Sequence, residues 1–508
     1  MTAQKDHRRF DPLLVTLVVL SVFLLALRWA AARHVGFGDS EALYATYALH
    51  PQPAYLDHPG LIGTFARSLG GGTAPTPMDA HMVTAVLATM APWIVSLVAR
   101  SMGATLRASL VAALVVACTP VLSVGLFAMT PDLLLFFAWL GSLGLAVAAI
   151  DSPASSGRAA AFAMGAGLFA GVAASAKVSG VLLLPTLAWI YARAPEHRRT
   201  LWPWLGLLVG LLPLVPIAQW EAGHGWPMVH HRLVSTQGEA GFSLRNVLAL
   251  FGGQLLYLSP LVAVLAFVVG RDLVRRRKED AITGALFAAF VVPLVPLTLL
   301  CLWSRVAEPH WLTPAYLALP LHAARTGVPL EVADVVHTRW KSFTVAAAGL
   351  GLALTLAVHA WVLVPSLLAY APRSYDAKVD IANELTGWPE ATQAAAELGD
   401  EVALEVPDAD VTFVAPTWMQ CAQLQSALPA RKVGCATDAP SDFDGWTPPS
   451  EWRKSDVIVF VTDNRFEVEP AMLIPTHDVG RSERISVLRA GRVVRTFRLT
   501  VLMKRGAA

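Results

Sequence analysis

Apolar residues fall in long runs through the first 365 positions, at 13 to 32, 81 to 99, 108 to 127, 133 to 150, 159 to 176, 178 to 192, 201 to 219, 247 to 269, 281 to 303, 311 to 324 and 342 to 364. A bilayer core needs roughly 20 apolar residues per crossing, so the pattern predicts about eleven membrane-spanning helices. Beyond residue 364 the pattern changes, and Asp376, Asp380, Glu384, Asp400, Glu401, Asp408 and Asp410 replace the Leu and Val runs. Strand-like stretches at 411 to 415, 456 to 461, 485 to 489 and 493 to 501, with a helical stretch at 390 to 398, predict a soluble mixed α/β domain over 365 to 508. Residues 1 to 364 are then a transmembrane domain whose first loop covers 33 to 80.

Composition agrees with lipid as the solvent. Of 508 residues, 55% are hydrophobic and 15% charged, and mean hydropathy is +0.53, where a soluble domain carries about 25% charged residues. A net charge of +2 gives no electrostatic footprint for nucleic acid. There is no Walker motif. Gly165, Gly167 and Gly171 lie inside an apolar helix with no strand before them, so they predict close helix packing and not a dinucleotide loop.

Lys and Arg decide sidedness, because cytoplasmic loops are enriched in them. Lys5, Arg8 and Arg9 precede the first run, which is long for a signal peptide and has no small-residue cleavage site after it. With that end inside, alternate turns carry Arg100 and Arg107, Arg158, Arg193 with Arg198 and Arg199, the cluster Arg271, Arg275, Arg276, Arg277 and Lys278, and then Arg325, Arg339 and Lys341. The intervening loops hold only Arg33, Arg67, Lys177, Arg232, Arg245 and Arg305. The cluster from Arg271 to Lys278 reads first as an orientation signal, with a lipid-headgroup patch as the other reading. The pattern predicts a cytoplasmic N-terminus and an extracytoplasmic first loop and C-terminal domain.

Cys118 and Cys301 lie in spans, whereas Cys421 and Cys435 are 14 apart in the outer domain, where a disulfide is permitted. His230 and His231 are neighbours that would diverge on a helix, so they do not form a metal pair.

The outer loops carry the candidate chemistry. Loop one contains Phe37-Gly38-Asp39-Ser40-Glu41-Ala42-Leu43-Tyr44 and then Tyr55-Leu56-Asp57-His58-Pro59-Gly60. These acids sit among aromatic and apolar residues, where solubility alone is a poor explanation. Thr130-Pro131-Asp132 marks a helix start, and Asp132 reads equally as a cap or a functional acid. Lys177 lies between two apolar runs, suited to snorkelling or to holding phosphate. A further loop holds Arg305-Val306-Ala307-Glu308-Pro309-His310-Trp311. By topology these acids and cations share the outer interface. A phosphate leaving group there needs positive charge, and an acceptor hydroxyl needs a carboxylate within reach.

At these residues the chain resembles the bacterial dolichyl-phosphate-mannose-protein mannosyltransferase-like glycosyltransferases, including the aminoarabinose transferase branch, with the GT-C fold. Gly38-Asp39-Ser40-Glu41-Ala42 is similar to that family's loop-one acidic motif, and Tyr55-Leu56-Asp57-His58-Pro59 to its second acidic motif. Thr130-Pro131-Asp132, Lys177, Glu308-Pro309-His310-Trp311 and the segment from Asp380 to Trp388 add to the likeness.

The resemblance implies inverting transfer of a sugar from a polyprenyl-phosphate carrier to a lipid, glycan or protein acceptor at the outer face of a bacterial inner membrane. It casts Asp39 as base or acceptor-orienting acid, with Glu41, Asp57 and Asp132 placing the two substrates. Lys177, Arg305 and His58 would hold the donor phosphate, and Tyr55, Glu308 and His310 would line the donor and acceptor sites. No metal site or cofactor is assigned, and a divalent cation stays open. The chain has Gly60 where many relatives have a second proline, and His58 where the aminoarabinose branch has lysine, which implies weaker or pH-dependent phosphate binding there.

The rival class is a transporter or lipid flippase, but no internal repeat is visible and the spans are almost uncharged. A scaffold with an outer sensor domain lacks a cytoplasmic output domain.

Overall fold

The computed structural model describes residues 11–238, 240–328 and 334–506, with the side chains of 334–339 left aside. Lys5, Arg8 and Arg9, and the side chain of Arg339, lie outside the described residues. Two compact units emerge: a helical unit of 1–28 with 84–356, and a loop-and-sheet unit of 29–83 with 357–508. The first loop therefore belongs to the same compact unit as the C-terminal segment.

Among the described residues, seven helices are long and apolar enough to cross a membrane: Pro12–Ala32, Pro77–Ser101, Pro131–Asp151, Gly157–Ala176, Trp202–Gly223, Ala281–Trp303 and Trp340–Leu363. The chain is a multi-pass membrane protein. Two of the expected continuous spans are bent pairs, Leu106–Cys118 with Pro120–Phe127 at 76° and Leu244–Tyr257 with Pro260–Arg276 at 101°. Both breaks fall at proline, which lacks a donor and pushes the residue before it out of helical geometry. The apolar run 178 to 192 opens as a 3-10 turn before helix Leu183–Arg193, and 311 to 324 is divided into short pieces, the last being Ala318–Thr326. Counting apolar runs overstates the straight crossings for this reason.

Small residues set the helix spacing in the helical unit. A Cβ on Gly167 would lie 1.7 Å from the Gly206 carbonyl oxygen, so helices Gly157–Ala176 and Trp202–Leu211 meet backbone to backbone.

In the second unit, β1 (Val411–Ala415), β2 (Val433–Cys435), β3 (Val457–Asp463), β4 (His477–Arg489) and β5 (Arg492–Lys504) form one sheet in the order β2-β1-β3-β5-β4. The β1 pairings with β2 and β3 are parallel, while β5 runs antiparallel to β3 and β4. Every residue of β3 is buried, the mark of a central strand covered on both faces. Trp452, Ile458, Phe460 and Leu502 make one core cluster, and Trp388, Ala391 and Phe497 another. Helix Trp388–Glu405 extends the helical stretch expected at 390 to 398. Cys421 and Cys435 are joined in a disulfide, which ties helix Trp418–Ala427 to β2.

Candidate active site

Loop one forms helix Asp39–Tyr47, and the first turn is built by its own acids. The Glu41 carboxylate accepts from the backbone N–H of the N-cap Gly38 at 3.0 Å, and both acids stand in the first turn at the positive end of the helix. The other Glu41 oxygen lies 2.9 Å from His81 Nε2 on helix Pro77–Ser101.

Asp39 is nearly buried, and Arg465 grips it with both guanidinium nitrogens, at 3.1 and 3.3 Å. Gln423 Nε2 donates to Asp39 at 3.4 Å and to the Phe37 carbonyl at 2.9 Å. The Asp39 backbone N–H donates to Glu384 at 2.8 Å. Arg465 also reaches Asp463 at 3.2 Å, and Arg495 holds Asp463 at 2.5 and 2.8 Å. Arg465 thus meets three carboxylates, with Glu384 at 3.8 Å the third, and shares Asp463 with Arg495. Burial first, and then the charge of Asp39, raise the Glu384 pKa above the ordinary carboxylate value. Burial lowers the Arg495 pKa against the pull of Asp463.

The second motif is used differently. Tyr55 is fully buried and stacks on Tyr47 with ring centroids 3.6 Å apart. Its hydroxyl donates toward the His50 carbonyl at 2.8 Å and accepts from the Gln52 N–H at 3.1 Å. That ring offers no face to a sugar in this structure. His58 is buried edge-on to Tyr44, and Asp57 is half-buried.

Within the helical unit, four of the expected residues come together. Asp132 stands in the first turn of helix Pro131–Asp151, whose N-cap is Thr130, so Asp132 is not the cap. Lys177 ends helix Gly157–Ala176 in an extended conformation. The chain then turns back so tightly that a Cβ on Gly180 would lie 2.1 Å from the Ala173 carbonyl. Lys177 Nζ bonds both Asp132 oxygens, at 2.8 and 2.7 Å, and lies 5.8 Å from the Trp311 ring centroid.

His310 reaches Asp132 at 3.7 Å with Nε2 and Glu308 at 3.2 Å with Nδ1. Gln254 pins this loop by donating to the Pro309 carbonyl at 2.8 Å. Burial opposes protonation of His310, but its bonds to Asp132 and Glu308 prevail and raise its pKa above the ordinary histidine value. The same hydrogen bond holds Glu308 below the ordinary carboxylate value. Arg305, three residues before Glu308, is exposed. Among the described residues, no group of three or more His, Cys, Asp or Glu is arranged to hold a metal.

Arg465, Glu384, Asp463, Arg495 and His81 did not emerge from the sequence. The available signals were the acid inside the Asp380 to Trp388 segment and the charged turn Asp463-Asn464-Arg465 directly after the most apolar strand. Ligand sites in parallel sheets gather at such strand ends.

Residues 76–220 match the family profile of dolichyl-phosphate-mannose-protein mannosyltransferase, under a third of the chain. No curated protein matches the chain by sequence. In structure it is similar to ArnT from Cupriavidus metallidurans bound to undecaprenyl phosphate, with 15% identity, a TM-score of 0.63, and coverage of 96% of this chain and 97% of that one. The apo state of ArnT from Cupriavidus metallidurans gives 14% identity and a TM-score of 0.60, covering 96% and 98%. The chain is a multi-pass membrane protein of the GT-C fold. The likeness to the mannosyltransferase profile is confined to residues 76–220, whereas the likeness in fold to ArnT spans nearly the whole chain.

Proposed function

We propose that this glycosyltransferase moves a sugar from a polyprenyl-phosphate carrier to a lipid, glycan or protein acceptor, with inversion, at the outer face of a bacterial inner membrane. The observation that carries the reading is the buried Lys177, held by Asp132 beside His310 at the ends of apolar helices. A lysine in such a place is costly unless it serves an anion. The solved ArnT of the same fold is bound to undecaprenyl phosphate, which supports a carrier phosphate as that anion. An arriving phosphate exchanges with Asp132 for Lys177, and the displaced carboxylate becomes free to orient a sugar hydroxyl. The charge pattern of the loops supports an extracytoplasmic position for the segments bearing Lys177 and Asp39.

Asp39 serves as the acid that places the acceptor. Both its oxygens are engaged by Arg465, which favours orientation over proton removal. Glu41 holds the helix that presents Asp39, Asp57 and His58 complete the loop, and Arg305 and Glu308 stand beside the phosphate group.

The test is turnover of a polyprenyl-phosphate sugar by purified protein. Asp39→Asn should lower kcat by about 100-fold, the cost of misplacing a bound substrate. Lys177→Ala should raise the donor KM by about tenfold or more, the worth of a charge-assisted hydrogen bond. Unchanged kcat in a folded Asp39→Asn protein, or unchanged donor KM in Lys177→Ala, removes the corresponding role.

A further inference from the structure

A cavity of about 590 Å³ lies in the helical unit at the end of helix Pro131–Asp151 far from Asp132. Eighteen residues separate Asp132 from the lining residue Ile150, a rise of roughly 27 Å and close to the thickness of a bilayer core. Helix Ala281–Trp303 agrees, since the cavity takes its first turn whereas Glu308 and His310 follow its last. The two sites occupy opposite ends of the same helices.

Three cations line this cavity: Arg193, the last residue of helix Leu183–Arg193, and Arg277 and Lys278, which follow helix Pro260–Arg276. Helix C-termini favour cations, but the surrounding charges do not balance these three. Asp272 is held by Arg276 at 3.0 Å and by His322 at 2.8 Å. Glu279 pairs with Arg276 at 3.7 Å, and Asp280 with Arg325 at 3.0 Å. Asp280 itself lines the cavity, but its carboxylate, like those of Asp272 and Glu279, is bound to a cation outside the trio. Among the described residues no carboxylate pairs with Arg193, Arg277 or Lys278.

The floor is apolar. Ile150, Ile190, Ala281, Ala285 and Phe287 line it, and Trp189 stands at the rim with Arg193 over its ring at 5.9 Å. Arg277 donates to the Val274 carbonyl and lies over the Phe287 ring at 5.9 Å, but cations without a carboxylate partner above an apolar floor, with an interfacial tryptophan, suit a molecule that is anionic at one end and hydrocarbon at the other.

We propose that this cavity binds the phosphate headgroup of an anionic phospholipid, with Arg193, Arg277 and Lys278 on the phosphate and the acyl chains over Ile190 and Phe287. The site is separate from the donor phosphate site and does not depend on the identity of the sugar.

The test titrates a fluorescent phosphatidylglycerol into purified full-length protein in phosphatidylcholine nanodiscs, with inorganic phosphate as a separate arm. Arg193→Gln with Lys278→Gln should weaken binding about 30-fold, from about fivefold per cation, while Lys278→Gln alone gives about fivefold. The control is Arg271→Gln with Arg275→Gln, which removes the same charge from exposed positions outside the cavity. Loss confined to the cavity variants, in proteins that elute and melt as the parent does, supports the proposal. Equal loss in the control pair, no loss in either, or displacement of the lipid by inorganic phosphate at matching concentration overturns it.

Discussion

Removing Arg465 should unlock the acid of loop one. The guanidinium lies 3.1 to 3.3 Å from both Asp39 oxygens and 3.2 Å from Asp463. Unit charges at about 4 Å and an effective dielectric constant of about 20 interact by about 4 kcal/mol. Breaking a buried pair by deleting one partner costs about 3 to 5 kcal/mol, because the other charge stays buried and alone. The Glu384 carboxylate beside Asp39 adds repulsion that Arg465 now offsets.

Arg465→Gln should therefore lower the Tm of the loop-and-sheet unit by about 10 °C, using about 2 to 4 °C per kcal/mol for a unit of this size. The assay is a tryptophan-fluorescence melt in detergent, reported within this unit by Trp388, Trp446 and Trp452. Adding Asp39→Asn removes the stranded charge, so the double variant should recover about 2 kcal/mol relative to the sum of the single variants. Additivity of the two to within about 0.5 kcal/mol would show that the pair is not coupled and would refute the reasoning.

The remaining predictions concern charge state, covalent closure and backbone strain. His310 has a raised pKa, so its charge is complete below the ordinary histidine value and lost as pH rises through the raised one; donor KM should increase over that interval, and His310→Gln should flatten the profile. Glu384 also has a raised pKa, so folding favours its protonated form and stability should fall as pH rises through it; Glu384→Gln should remove that slope in melts taken across pH. Reducing Cys421–Cys435 opens a link between residues 14 apart and should cost about 3 kcal/mol in the same melt. Ala490 sits in the β4–β5 turn at φ 49°, so Ala490→Asn should stabilise by about 0.5 to 1 kcal/mol.

Much of this architecture was legible because lipid and a sheet core impose strong periodicities. The runs 13 to 32, 81 to 99, 133 to 150 and 281 to 303 lie in long helices, and β1 falls at 411 to 415 as the alternation indicated. The breaks at Pro120 and Pro260 were written in the residues themselves, but the hydropathy of those runs is continuous and hides them. In the helical unit, Asp132, Lys177, Glu308 and His310 were found because each is a charged or titratable residue stranded next to apolar sequence. Arg465 was missed for the opposite reason. A charged residue in a turn of a soluble domain is ordinary, and only three-dimensional closure reveals that this one meets Asp39. Tyr55 carries the reverse lesson, since a motif residue can be spent wholly on stacking and backbone bonds.

The partners in the Asp39–Arg465 pair stand 426 residues apart. Chain synthesis runs from one to the other, so the acidic loop is made long before its counter-charge. Until β3 and the turn after it have emerged, Asp39 has no guanidinium to hold it. A chain ending before Arg465 carries the apolar helices described above but no guanidinium at Asp39.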